Sequence, residues 1–148
     1  MAKNLAAAGH QVSGYDPAGT TAEGVAVAAS AQAAATGADV VITMLPNGKI
    51  AQSVADQALP VMEKGTVLLD CSTIDVAAAR SIARRAEDRG ISFLDAPVSG
   101  GVGGAEAGTL TFMVGGAAES FAALSPLFDI MGRTAVHCGG AGNGQAAK

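Results

Sequence analysis

The sequence predicts an α/β fold, a mostly parallel sheet with helices packed against it. Three observations predict it. Nearly unbroken apolar runs of strand length occur at residues 39–45, 66–69 and 91–94, the pattern of strands buried on both faces. Helical patterns separate these runs, as crossover connections between parallel strands require. Finally, hydrophobic residues make up 49% of the chain and charged residues only 15%, with abundant alanine and glycine. That composition suits close helix–sheet packing, and 148 residues are enough to bury a core.

Taken in order, Ala2 to Ala8 predicts a helix ended by Gly9, a favoured residue just past a helix C-terminus. Val12 to Tyr15 reads as a short strand closed by Asp16, with Pro17 and Gly19 turning the chain. Residues 21–26 suggest a short helix, and Ser30 is placed to cap another through Ala35. The strand at 39–45 stops at Pro46-Asn47-Gly48, and residues 50–62 form a helix with Val54, Ala58 and Val61 on one face. The strand at 66–69 runs into Asp70-Cys71-Ser72-Thr73. A helix over 76–89 is stopped by Gly90, and the strand at 91–94 enters the glycine-rich run Ser99-Gly100-Gly101-Val102-Gly103-Gly104, read as a loop. A strand at 109–114, a helix at 119–129 and a strand at 134–137 complete the pattern. No repeat or linker divides residues 1–148, which read as one domain.

Composition also excludes partners. Aromatics are 3%, there is no tryptophan, and the formal net charge is −4 without a Lys/Arg cluster. Nucleic acid and anionic membrane are therefore not expected. Cys71 and Cys138 lie far apart, with no Cys-x-x-Cys and no His at metal-ligand spacing, so two reduced thiols and no metal are expected. No apolar run reaches membrane length and no signal segment is visible, which places the protein in the cytoplasm.

In parallel α/β sheets, ligands bind beyond the carboxyl ends of the strands. Here those positions hold Asp16, Leu45-Pro46-Asn47, Ser72-Thr73 and Ser99-Gly100-Gly101. Each suits two roles. Asp16 could accept the hydroxyl protons of an adenosine ribose, favouring NAD over a 2′-phosphorylated dinucleotide, or it could simply turn the chain before Pro17. Pro46 and Thr73 could line a cleft or terminate strands. The amides after Ser99 could converge on a carboxylate or form an ordinary glycine turn. Lys148, read by itself, is a solvated surface group.

Taken together, the motifs resemble the β-hydroxyacid dehydrogenase family. The matching pieces are Met1 to Leu5 with Ala8-Gly9-His10, Tyr15-Asp16, Asp39 to Pro46, Asp70 to Ile74, Asp95 to Gly101, Gly108 to Gly116, His137-Cys138-Gly139 and Gly142 to Lys148. The resemblance implies a Rossmann-type doubly wound sheet and NAD as cofactor. By position, Asp16 would hold the ribose, Met44, Leu45 and Pro46 would line the dinucleotide site, and Thr73 would meet its nicotinamide side. Ser99, Gly100 and Gly101 would bind the substrate carboxylate, and Lys148 would be catalytic, exchanging a proton with the substrate hydroxyl, its basicity lowered by partial burial. Within the family, Val102-Gly103 and Thr111-Phe112 look more like enzymes that oxidise 3-hydroxyisobutyrate to methylmalonate semialdehyde. The alternatives are tartronate semialdehyde reduction, another short β-hydroxyacid oxidation, or a nucleotide-binding module without turnover. A methyltransferase would leave the Ser99 segment and Lys148 without use.

Set against the family pattern, residues 1–148 are expected to lack the first strand with its Gly-x-Gly-x-x-Gly phosphate turn and the C-terminal helical domain. The first strand is central in a doubly wound sheet. The strands at 12–15 and 40–45 are therefore expected to lack a partner joining them to the rest. The resemblance further implies that the chain is a fragment of an NAD-binding domain, whose parent is a homo-oligomer through the absent helical domain, acting on a small 3-hydroxy acid.

Overall fold

A computed structural model describes every residue from Met1 to Lys148. In chain order the elements are α1 (Ala2–Ala7), β1 (Val12–Gly14), β2 (Val25–Val27), α2 (Ala31–Ala35), β3 (Val40–Thr43), α3 (Gly48–Ala58) with a 3-10 turn (Leu59–Val61), β4 (Val67–Asp70), α4 (Val76–Glu87), β5 (Ser92–Asp95), β6 (Val98–Ser99), α5 (Gly101–Ala107), β7 (Leu110–Gly115), α6 (Ala118–Ala123), α7 (Ser125–Met131), β8 (Gly132–Gly139) and α8 (Asn143–Ala147). The fold is α/β with a mostly parallel sheet. No helix is long and apolar enough to cross a membrane.

Strands β3, β4 and β5 run parallel and in register, so Thr43, Asp70 and Asp95 stand side by side at their carboxyl ends. Strand β7 runs antiparallel to β5 and β6 on one side and parallel to β8 on the other. Period-two alternation sends Leu68 and Phe93 to one face, against α3 and α4, and Leu69 and Leu94 to the other. Ala78, Ala79 and Ala86 let α4 lie close on the first face. Phe112, Phe128, Met131 and Leu5 fill the second face. Side-chain caps set three helix starts: Ser30, Asn47 and Asp75 accept from the amides of Ala33, Ile50 and Ala78.

The structure corrects four expectations. Residues 21–26 do not form a helix: a turn at Gly24 (φ +76°) leads into β2, whose two β-branched valines favour extension. Nor does the strand at 40–45 lack a partner, because β3 pairs along its whole length with β4. By contrast, β1 pairs only with β2, as a separate two-stranded sheet. The helix expected over 119–129 is two helices broken at Leu124. Pro126, in the first turn of α7, has no N–H to continue α6 and its ring would strike the carbonyl four residues back.

The fourth correction concerns the glycine run after Ser99. It is not a loop but the start of α5. Gly100 (φ +133°) and Gly101 (φ +63°) make the turn into the helix, and Gly104 lets it settle on Leu110, whose Cδ2 would lie 3.2 Å from an added Cβ.

Candidate functional site

The in-register ends of β3, β4 and β5 place three chain segments on one edge of the sheet. Met44, Leu45 and Pro46 leave β3, Cys71, Ser72 and Thr73 leave β4, and Ala96 follows Asp95. Beneath this edge lies a buried polar network. Asp70 Oδ1 accepts from the Thr43 hydroxyl (2.8 Å), the Ser72 hydroxyl (2.6 Å) and the Ser72 amide (3.1 Å). The same Ser72 oxygen accepts from the Leu45 amide at 2.8 Å, so it sets where the chain leaves β3. Asp70 Oδ2 is buried without a partner.

Burial pushes the Asp70 carboxyl above its ordinary range, the hydroxyls and amide around Oδ1 work against that shift, and the neighbouring Asp95 adds to it. Burial, and then the charge of Asp70, also push the Cys71 thiol up, which makes it an inert core group.

Asp95, wholly buried at the end of β5, anchors α8. Its Oδ1 accepts from the Gly142 amide (2.7 Å) and its Oδ2 from the Gln145 amide (2.9 Å). Burial raises this carboxyl too, against the opposing effect of the α8 amides. Two of the otherwise orphaned amides at the start of α8 thus find their acceptor on another element. The Gln145 side chain then reaches the segment after β4, donating to the Ser72 carbonyl (2.7 Å) and accepting from the Ile74 amide (3.1 Å).

The residues singled out from sequence fall as follows. Met44, Pro46 and Thr73 are exposed on the strand-end edge, with Leu45 half-buried between them. Asp16 is exposed beyond β1, in the other sheet. Its Oδ1 accepts from the Ala18 amide at 2.8 Å, so the turn-forming role is present and one carboxylate oxygen stays free. Ser99 lies on β6 opposite Thr111, and Gly100 and Gly101 open α5, all three exposed. No side-chain hydrogen bond caps that helix start, and nothing lies within 4 Å of a Cβ built on Gly101 or Gly103.

Lys148 follows α8 and is exposed, contrary to the partial burial invoked for it: this chain alone does not cover it. The structure joins the segments of Leu45, Thr73 and Lys148 by hydrogen bonds. It makes no such link to Asp16 or Ser99. Sequence reasoning assigned no role to Asp70, Asp95 or Gln145. The available signals were an acid closing each of two buried strands, and a glutamine among small residues three positions before Lys148.

Comparison with known proteins agrees with this architecture. The family described as the NAD binding domain of 6-phosphogluconate dehydrogenase matches residues 1–140. A solved Mycobacterium tuberculosis 3-hydroxyisobutyrate dehydrogenase with L-serine superposes with a TM-score of 0.95 at 47% identity, over 99% of this chain and 52% of that one. Two Pseudomonas aeruginosa proteins, an NAD-dependent L-serine dehydrogenase and a 3-hydroxyisobutyrate dehydrogenase, are each 47% identical over all of this chain and 52% of their own length. The chain spans about half the length of the curated relatives it matches. By this match over residues 1–140 and these identities, the chain belongs to the β-hydroxyacid dehydrogenase family, as a member of its NAD-binding domain class.

Proposed function

We propose that residues 1–148 act as the NAD-binding domain of a dehydrogenase that oxidises a small 3-hydroxy acid, 3-hydroxyisobutyrate first among the candidates. One observation carries the reading. The hydrogen bonds of Asp95 and Gln145 bring the helix leading to Lys148 onto the sheet edge that carries Leu45, Pro46 and Thr73. Residues at this edge, and Asp16 beyond β1 in the smaller sheet, fit a dinucleotide. Met44 is 56% exposed beside half-buried Leu45, an apolar surface for a planar ring, and Asp16 keeps one carboxylate oxygen free for ribose hydroxyls.

On this reading Asp16 holds the ribose, Met44, Leu45 and Pro46 line the dinucleotide, and Thr73 stands on the nicotinamide side. When bound, NAD takes the hydride from the alcohol carbon. Ser99 and the amides of Gly100 and Gly101 orient the substrate carboxylate, with open space beside Gly101. Lys148 takes the hydroxyl proton during oxidation and returns it in the reverse direction. Substitution Lys148→Ala is expected to lower NADH formation from 3-hydroxyisobutyrate by about a hundredfold or more while NAD binding, followed by calorimetry, persists. An undiminished rate in that variant, or no heat of NAD binding to the parent chain, refutes the proposal.

A second reading, a nucleotide-binding module without turnover, is favoured by the exposure of Lys148 and the absence of any side-chain hydrogen bond from it. Calorimetric NAD binding with no NADH formed from a panel of 3-hydroxy acids would select it.

A further inference from the structure

Helix α8 has five residues, too few to be stable alone in water. Its order must therefore come from its contacts, and Gln145 makes the most selective of them. The residue is 8% exposed, whereas Ala146, Ala147 and Lys148 after it are exposed. Its amide donates to the Ser72 carbonyl at 2.7 Å and accepts from the Ile74 N–H at 3.1 Å. These are the backbone groups on either side of Thr73. The Gln145 amide thus pairs with that segment as a neighbouring strand would, through its oxygen and one N–H.

The link continues in both directions. Toward the end of the chain, the Lys148 amide donates to the Gly144 carbonyl, and residues three apart share a helix face, so Lys148 stands over the face that Gln145 buries. Toward the sheet, Ser72 offers its carbonyl to Gln145 and its hydroxyl oxygen to the Leu45 amide. One residue therefore touches both the helix of Lys148 and the loop of Leu45 and Pro46.

We propose that Gln145 is a positioning residue, which through Ser72 holds Lys148, Thr73 and the Leu45–Pro46 loop in one fixed arrangement. It rests on the reading that these residues share a site. It adds that their mutual placement depends on one side-chain amide. No other neutral side chain of similar length supplies a donor and an acceptor two bonds apart. Glutamate keeps the acceptor for Ile74 and loses the donor for Ser72, whereas leucine loses both.

The test is NMR on the 148-residue chain, with parent, Gln145→Leu and Gln145→Glu compared. In Gln145→Leu, amide exchange at Ile74 is expected to quicken by about tenfold and the order parameters of Ala147 and Lys148 to fall, with the melting midpoint nearly unchanged. In Gln145→Glu, Ile74 stays protected while Lys148 still loosens. Where the parent turns over, kcat is expected to fall by about tenfold to a hundredfold in Gln145→Leu, with KM for the hydroxy acid within about twofold.

Unchanged exchange at Ile74 and unchanged order at Lys148 in both variants overturn the proposal. So does general loss of protection throughout the core, which would make Gln145 a stability residue only. A Lys148→Ala variant separates the two readings. Full turnover there refutes the lysine's role, while the exchange data still decide whether Gln145 fixes α8.

Discussion

Replacing Gly144 by alanine sets two effects of opposite sign against each other. Within a helix, alanine is favoured over glycine by about 1 kcal/mol, so propensity alone would make α8 more ordered. Docking says otherwise. A Cβ at this position would collide with the backbone carbonyls of Asp95 and Met113 and come within 2.9 Å of Asp95 Oδ2. Those carbonyls belong to β5 and β7 and cannot swing aside as a flexible side chain could. Overpacking of this kind costs about 1–3 kcal/mol. The cost is capped by release of α8, which forfeits two hydrogen bonds to the Asp95 carboxylate worth about 1.5–3 kcal/mol each. Taking the clash at about 3 kcal/mol against about 1 kcal/mol of propensity leaves a net destabilisation of docking near 2 kcal/mol, or about thirtyfold in the opening equilibrium. Amide exchange at Gln145 is the assay, because its N–H is the one bonded to Asp95 Oδ2. It should exchange roughly thirtyfold faster, while amides of β4 and β5 keep their parental rates. Equal or slower exchange at Gln145 would refute the close-approach argument.

The two buried carboxylates set a pH dependence of stability. Burial holds both Asp70 and Asp95 above the ordinary value of 3.8, so folding favours proton binding relative to the unfolded chain. Their contribution is full below that value and is lost as pH rises through the folded values. In urea titrations, Asp70→Asn should accordingly show a weaker fall in stability than the parent as pH is raised from about 4 to 7, and identical slopes would contradict the assignment. In the core, Leu94→Ala should cost about 2–5 kcal/mol, since Leu94 is fully buried between strand neighbours and α7-side residues. A loss under about 1 kcal/mol by the same titration would mean that this face is loosely packed.

The sheet was legible because burial on both faces leaves a strong mark. Runs such as Val40 to Leu45 and Thr66 to Leu69 have few polar positions, and they fall within one or two residues of β3 and β4. Helix caps were legible where one polar side chain does the work, as at Ser30. The region before Ser30 was harder. Alanine and glycine at 22–28 suit helix and strand alike, and β2 exists because β1 offers it a parallel partner. The break at Pro126 was missed because a helical pattern continues on both sides of it, and packing of α7 against β8 holds the resumed helix in place. Among the candidate site residues, exposed strand-end groups could be picked out by position. The groups that hold them could not, because the partners of Asp95 and Gln145 lie 47 to 73 residues away.

Glycine accounts for the largest misreading, and the reason is physical. The same residue serves where φ is positive and where another backbone must come near, and composition does not distinguish the two uses. At Gly100 and Gly101 the first use applies, since both have positive φ and together turn the chain from β6 into α5. At Gly144 φ is not positive, and the missing Cβ lets a helix touch the ends of two strands. A glycine-rich segment such as 139–144 is therefore not flexible by virtue of its glycines. Asp95 shows why the close approach matters. A carboxylate buried this deeply is costly unless donors reach it, and the α8 amides reach it only because Gly144 leaves room. Removing that room would leave the charge without its donors as well as freeing the helix. The buried acid and the small residue are for that reason one device, and neither is expected to tolerate change while the other stays.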